Sequence, residues 1–318
     1  MKIKSVIKVS KNLVSWLFWK INNRFFFDQW QLLFSFENNL NFKDFIKITP
    51  PKDRFWADPF LVEYENKYYV FYEELIYSEN IGHIACLEID SFGNVSNFQT
   101  VLKRKYHLSY PFIIEHKKSF YMIPETGENN TIEIYESASF PNDWKLKKIL
   151  IPNIVAYDTT ILQHNSKYWL FANVRNPENN STWDTLHLFY SESLFEDVWK
   201  PHPLNPIVSN ISCARPAGNI YKKNNKIYRP AQNCSLHYGY AIEIMEITIL
   251  DEYNYAEEKS NAILPAWDKK VSSINKDAAL RKEKFKVSLI ANKLLEDINA
   301  QFKDQFNVDA PTENEGFP

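Results

Sequence analysis

The sequence predicts an all-β protein, a β-propeller, and three observations carry that expectation. A unit of several short strands recurs about every 50 residues, the period of propeller blades. Aromatic residues, which favour strands, make up 16% of the 318 residues. The helical, 3.6-period stretches that a βαβ architecture needs between its strands are missing from the repeats.

The first segment, residues 1–28, stands apart. Lys2, Lys4, Lys8, Lys11, Lys20 and Arg24 interleave with Val14, Trp16, Leu17, Phe18, Trp19 and the run Phe25-Phe26-Phe27, and no acidic residue precedes Asp28. The apolar core is too short for a secretory signal and lacks a small-residue cleavage site. Two readings stay open: a basic aromatic helix lying in a membrane interface, or a segment docked on the body.

Residues 29–268 are expected to hold the propeller. Its first repeat runs Asp58-Pro59-Phe60-Leu61-Val62, a polar tip at Glu65-Asn66-Lys67, then Tyr68 to Glu73. The second runs Tyr110-Pro111-Phe112-Ile113-Ile114, a tip from His116 to Ser119, then Phe120 to Glu125. The third runs Asp158-Thr159-Thr160-Ile161-Leu162, a tip at Asn165-Ser166-Lys167, then Tyr168 to Asn173. The fourth opens with Arg215-Pro216-Ala217-Gly218, has a longer tip from Lys222 to Lys226, and returns through Ile227 to Gln232. An alternating third strand follows each: 81–89, 131–135, 186–190 and 240–247. Asparagine pairs such as Asn129-Asn130, Asn179-Asn180 and Asn224-Asn225 supply turn chemistry in a chain with only 6 glycines.

The inner strand of a blade starts at the central funnel and its hairpin partner returns there, so equivalent positions form rings around one mouth. One ring is Asp58, Tyr110, Asp158 and Arg215; the other is Glu73, Glu125, Asn173 and Gln232, with Glu74 and Arg229 nearby. Carboxylates facing two arginines around a concave axis make a site constellation. Taken singly, Asp-Pro and Asp-Thr-Thr are also ordinary strand-entry sequences. Trp56, Tyr110, Tyr157 and Tyr228 flank the rings and either stack on sugar faces or pack between blades.

The set Phe55-Trp56-Ala57-Asp58-Pro59-Phe60, Ser109-Tyr110-Pro111-Phe112, Pro124-Glu125-Thr126, Asp158-Thr159-Thr160, Ala214-Arg215-Pro216-Ala217-Gly218 and Tyr228-Arg229-Pro230-Ala231-Gln232 resembles the N-terminal propeller domain of glucosamine inositolphosphorylceramide transferases and its bacterial surface-polysaccharide relatives. More distantly, the Ala-Asp-Pro at a blade start is similar to the arabinanase, invertase and levansucrase propellers. The resemblance implies glycan association more firmly than catalysis, because in the plant proteins a separate C-terminal domain carries the glycosyl transfer. By the arabinanase analogy, Asp58 is the general base or nucleophile, Glu125 the general acid and Asp158 the residue that orients the sugar. Arg215 and Arg229 suit an anionic sugar, a nucleotide-sugar diphosphate or a lipid-linked phosphate. Glu73, Glu74, Tyr110, Gln232, Trp56 and Asn173 complete the expected binding surface.

The remaining expectations are these. The resemblance implies a five-bladed β-propeller, and its fifth blade is expected to be incomplete, built from the strand at 29–36 and the C-terminal segment. Residues 275–306, within a segment spanning 269–306, read as an amphipathic helix, and 307–318 as a loose tail. Net charge is −2, from 37 Lys+Arg against 39 Asp+Glu, which argues against a general nucleic-acid binder. Three scattered cysteines and seven histidines give no disulfide framework and no metal spacing, and no phosphate loop marks a cofactor. Among the histidines, His237 lies near the fourth return strand. The expected setting is cytoplasmic, at the inner face of the plasma membrane, with a carbohydrate or linked sugar as ligand and a glycosyltransferase as partner.

Overall fold

The computed structural model describes residues 29–36, 45–264 and 285–291. The basic aromatic segment 1–28 and the tail 307–318 lie outside the described residues. The chain enters with β1 (Gln29–Ser35) and β2 (Ile46–Ile48). The first repeat forms β3 (Arg54–Tyr64), β4 (Lys67–Ile76), β5 (Gly82–Ile89) and β6 (Val95–Leu102), hydrogen-bonded in that order. The second forms β7 (Ser109–His116), β8 (Ser119–Glu125), β9 (Thr131–Ser139) and β10 (Asn142–Pro152). The third forms β11 (Ala156–His164), β12 (Lys167–Val174) and β13 (Thr185–Ser191), with the short β14 (Lys200–Pro201) and β15 (Val208–Ser209) both paired to β13. The fourth forms β16 (Tyr221–Lys223), β17 (Lys226–Asn233), β18 (Ala241–Leu250) and β19 (Tyr255–Ile263). Four successive antiparallel meanders of this kind are propeller blades.

Each inner hairpin turns in the same way. The pairs Glu65-Asn66, Lys117-Lys118, Asn165-Ser166 and Asn224-Asn225 all have positive φ at both residues, the signature of a two-residue type I′ turn. The fourth tip is therefore no longer than the others, since Lys223 pairs directly with Lys226. Asparagine accounts for several of these positions because its side chain tolerates the left-handed region.

The fifth sheet closes the ring with chain from both ends. Its order is β2-β1-β20, where β20 is Phe285–Ala291 and runs parallel to β1, Gln29 opposite Phe285 and Ser35 opposite Ala291. This corrects the expected helix over 275–306: residues 285–291 are a strand, and the rest of that stretch lies outside the described residues. Apolar Phe285, Val287 and Leu289 recur at period two as well as sitting on a helical face, and the ladder to β1 selects the extended form. Pairing the first and last strands removes an exposed edge.

Between blades, aromatic and branched side chains fill the wedges. Phe60, Phe71, Tyr110, Phe112, Ile123, Tyr135 and Trp144 belong to one buried cluster that continues into the third blade through Ile161, Leu170 and Phe189. Phe60 meets Tyr110 edge to face at 4.8 Å between ring centroids, an arrangement favoured by the ring quadrupoles. Blades three and four share a second cluster around Leu162, Phe171, Leu188 and Ile247.

Candidate functional site

The inner strands of the first three blades all break in the same place. Their registers skip between Ala57 and Phe60, Ser109 and Phe112, and Tyr157 and Thr160. At each break one residue takes a left-handed backbone: Asp58 (φ 49°), Tyr110 (φ 44°) and Asp158 (φ 52°). Such a β-bulge re-aims a side chain, and left-handed non-glycine residues cost roughly 1–3 kcal/mol each. Three repeats of one strained bulge aim three side chains of the first ring at a common axis. In the fourth blade Arg215 instead precedes a single bridge, Pro216 opposite Ala231, and its carbonyl accepts from the N–H of Gln232 at 2.7 Å.

These residues surround a cavity of about 630 Å³, the size range of small-ligand sites. Asp58, Glu73, Tyr110, Glu125, Arg215 and Gln232 line it, as do Tyr228, Trp30, His107 and Tyr238. Asp158 lies just behind, 1% exposed. Arg215, itself 6% exposed, donates from Nε to Asp158 Oδ2, stands 3.5 Å from Glu125 Oε2 through Nη2, and donates from Nη1 to the Thr182 carbonyl at 3.2 Å. Gln232 Nε2 adds a bond to the same Asp158 oxygen at 3.3 Å. The guanidinium is sandwiched between the Tyr157 ring, 5.5 Å away, and the Tyr238 ring, 5.1 Å away. Tyr238 is held in turn by Trp30 and Trp183.

One guanidinium does not satisfy this many carboxyls. Glu125 Oε2 and Asp158 Oδ1 are buried without a hydrogen-bond partner. Burial and the Asp158 charge push the Glu125 carboxyl well above the ordinary range, with Arg215 opposing. Asp58 is pushed up in the same direction, by burial first and then by Glu73 and Asp158. Burial weighs against charge on Arg215, but Asp158 above all restores it and keeps the guanidinium ionised.

Tyr110 crosses the axis. Its hydroxyl accepts from the Gly218 N–H at 2.7 Å and lies 2.9 Å from Thr160 Oγ1, tying the second blade to the third and fourth. Burial raises its phenol above the ordinary range.

Several expected site residues sit elsewhere. Glu74, next to Glu73 on β4, faces the opposite side of the sheet: it accepts from Trp56 Nε1 at 2.7 Å and meets His83 at 3.0 Å and Arg54 at 3.3 Å. Trp56 goes with it and stacks on Phe98 at 5.4 Å rather than facing the cavity. Arg229 is 1% exposed inside the fourth blade, where Nε and Nη2 grip Glu257 at 2.9 and 2.6 Å and Nη2 also reaches the Cys213 carbonyl. Asn173 is wholly buried, its amide unpartnered, and is not among the lining residues. His237 is exposed, whereas its neighbour Tyr238 is the site residue.

His107, Tyr238 and Trp30 are absent from the sequence-derived rings. Each lies outside the repeat motifs: in the connection into β7, after β17, and on the N-terminal strand. The nearness of His107 to Ser109-Tyr110 was the one local signal for it. Among the described residues no group of three His, Cys, Asp and Glu is arranged to hold a metal ion.

A ring of blades around an axial cavity with clustered carboxyls defines a β-propeller with a candidate ligand site on its axis. Solved structures show the same fold: a family 117 glycoside hydrolase from the marine bacterium Zobellia galactanivorans has a TM-score of 0.51 at 10% identity, covering 67% of this chain and 71% of that one. A GH43 β-1,3-galactosidase, BT0265, gives 0.52 at 10% identity, with 74% and 50% covered. Residues 45–294 match the family described as glucosamine inositolphosphorylceramide transferase 1, N-terminal, and the chain belongs to it. The glucosamine inositolphosphorylceramide transferase 1 of Arabidopsis thaliana is 31% identical over 208 residues, and that of Oryza sativa subsp. japonica 30% over 210. Those stretches take in 64% and 65% of this chain but only 27% and 28% of the plant proteins, so the chain spans about a quarter of these relatives.

Proposed function

We propose that this chain is a sugar-binding propeller acting in the assembly of a cell-surface glycan, seating a sugar residue in its axial cavity for a glycosyltransferase partner. One observation carries the reading: a cavity of about 630 Å³ that joins hydrogen-bonding carboxyls, Asp58, Glu73 and Glu125, to the aromatic faces of Tyr228, Tyr238 and Trp30. Sugars present hydroxyls at their rims and C–H faces to aromatic rings, so this lining suits them. Membership of a family named for a glycolipid-forming transferase agrees with it.

The carboxyls favour binding over hydrolysis. Glycoside cleavage needs one carboxyl as acid and one as base, which requires environments that drive their pKa values apart. Asp58 and Glu125 are both driven upward. A shared upward shift sets up no such contrast between the two carboxyls. The same geometry supports a neutral sugar in place of an anionic one, because Arg215 is paired with Asp158 and Glu125 and Arg229 with Glu257. The basic segment at 1–28 supports a position at a membrane surface.

The test is a pair of variants, D58N and E125Q, assayed for sugar binding and for glycan output in cells. Asparagine tolerates the left-handed backbone at 58, so the fold is retained. Reduced binding with glycan output falling in proportion supports a binding role. Loss of turnover with binding retained identifies an enzyme and replaces this reading.

A further inference from the structure

One unit at the blade-one side of the cavity is built more closely than packing requires. Glu73 closes the inner hairpin of the first blade, and His107 lies in the connection into β7; both line the cavity. His107 Nε2 is 3.0 Å from Glu73 Oε1. On the other side of the ring, the backbone N–H of Gly82 donates to His107 Nδ1 at 3.0 Å. A nitrogen that accepts an N–H carries no proton, so the proton of the neutral ring is on Nε2 and is donated to Glu73. Burial opposes a charge on the ring, Glu73 and Glu128 outweigh it and raise its pKa, and a second proton on Nδ1 would come only with loss of the Gly82 bond.

The backbone around the ring is fixed as tightly. The N–H of His107 donates to Glu128 Oε2 at 2.5 Å, and the N–H of Leu108 donates to the Gly82 carbonyl at 2.9 Å. At position 82 only glycine fits: a Cβ would stand 2.7 Å from His107 Cε1, 2.7 Å from the Leu108 carbonyl and 2.9 Å from Glu73 Oε1. A proton relay through this histidine is ruled out by the same contacts, since Nδ1 faces a backbone donor and has no acceptor to serve.

We propose that His107 is a positioning and specificity-determining residue of the sugar site. By filling Oε1 of Glu73 with its Nε2–H, it fixes that carboxylate as a one-sided acceptor and leaves the second oxygen to take a ligand hydroxyl. A ligand lacking a hydroxyl at that place then leaves a buried carboxylate oxygen unpaired, which is how a polar site rejects a near analogue. The proposal rests on the sugar-binding reading, and its test separates the two.

The full chain and its H107F, H107Q and G82A variants are titrated by calorimetry with the methyl glycosides of glucose, galactose and N-acetylglucosamine. Glutamine can place an N–H where the histidine Nε2 stands; phenylalanine cannot. The expected result is that H107F weakens the best-bound glycoside about tenfold or more, the scale of one hydrogen bond to a charged group. H107Q is expected to stay within about threefold of the parent, and G82A to follow H107F. Imidazole nitrogen-15 spectra at pH 8 are expected to show His107 protonated on Nε2 alone. The proposal is overturned if H107F binds as well as the parent, if H107Q and H107F lose equally, or if the proton is found on Nδ1. A parent chain that binds none of the glycosides overturns the sugar-binding reading and this role together, whereas parent binding unaffected by H107F removes only the role of His107.

Discussion

Two buried arginines of the fourth blade show how differently the same side chain is used. Arg229 meets one carboxylate, Glu257, through two nitrogens, and Tyr255 donates to that same Glu257, so one cation faces one anion inside the sheet, with Arg229 Nη1 left without a hydrogen-bond partner. Arg215 meets Asp158 and Glu125 with Asp58 close by, so acid groups outnumber the cation and the cluster opens on a cavity. The first arrangement holds a blade together. The second leaves unpaired carboxyl oxygen atoms beside a space of ligand size. A buried ion pair is thus no sign of a site; the imbalance and the cavity are.

The comparison breaks first at Arg229. R229A leaves Glu257 buried without its partner and is expected to cost about 3–5 kcal/mol of stability, read by chemical denaturation. Sugar binding measured below the new melting temperature should be unchanged; a weakened affinity would place Arg229 in the site after all.

Next comes Glu74, the balanced carboxylate on the far face of the blade that carries Glu73. Burial raises its pKa, but bonds from His83, Trp56 and Arg54 outweigh burial and hold it below the ordinary range. A depressed carboxyl stabilises the fold above its unfolded pKa, and that contribution is lost as pH falls through the folded value. E74Q should therefore destabilise by about 1–2 kcal/mol at pH 7, and the difference from the parent should shrink on acidification.

Glu125 should show the opposite sign. Its folded pKa is raised, so its contribution is fully present below the ordinary glutamate pKa of 4.5 and is lost as pH rises toward the folded value. Relative to the parent, E125Q should gain stability as pH rises, by an amount on the order of 1 kcal/mol, in paired melting curves between pH 4.5 and 8. A constant difference across that range would mean that folding does not raise the Glu125 carboxyl.

The smallest effect sharpens the picture of Arg215. Removing one face of its aromatic sandwich with Y238L should cost roughly 0.5–1 kcal/mol, since cation–π contacts are of that size. Glycoside affinity should fall by a few-fold with no change in the pH dependence of stability.

The repeat made the blades legible, and with them the ring positions Asp58, Tyr110, Glu125 and Arg215, because quasi-equivalent hairpins return to one axis. The limits of that inference lie in single residues. Glu73 and Glu74 are neighbours on one strand, and strand alternation sends them to opposite faces; their composition is the same, so only the register decides which one reaches the cavity. Arg229 occupies a motif position, yet its partner lies on the outermost strand of the blade. His107 belongs to a connection that no repeat predicts.

The sequence alone determined the all-β class, the spacing of the blades, turns rich in asparagine and the polar character of the axial ends, because these follow from local periodicity and backbone preference; that each inner hairpin turns through two residues came from the structure. Only the tertiary structure decided that residues 285–291 pair as a strand with β1, that Arg215 is consumed by Asp158 and Glu125, and that Gly82 locks the tautomer of His107. Those outcomes depend on groups far apart in the chain meeting in a low-dielectric interior, where one missing partner shifts a proton or turns a face, and local sequence carries no record of such meetings.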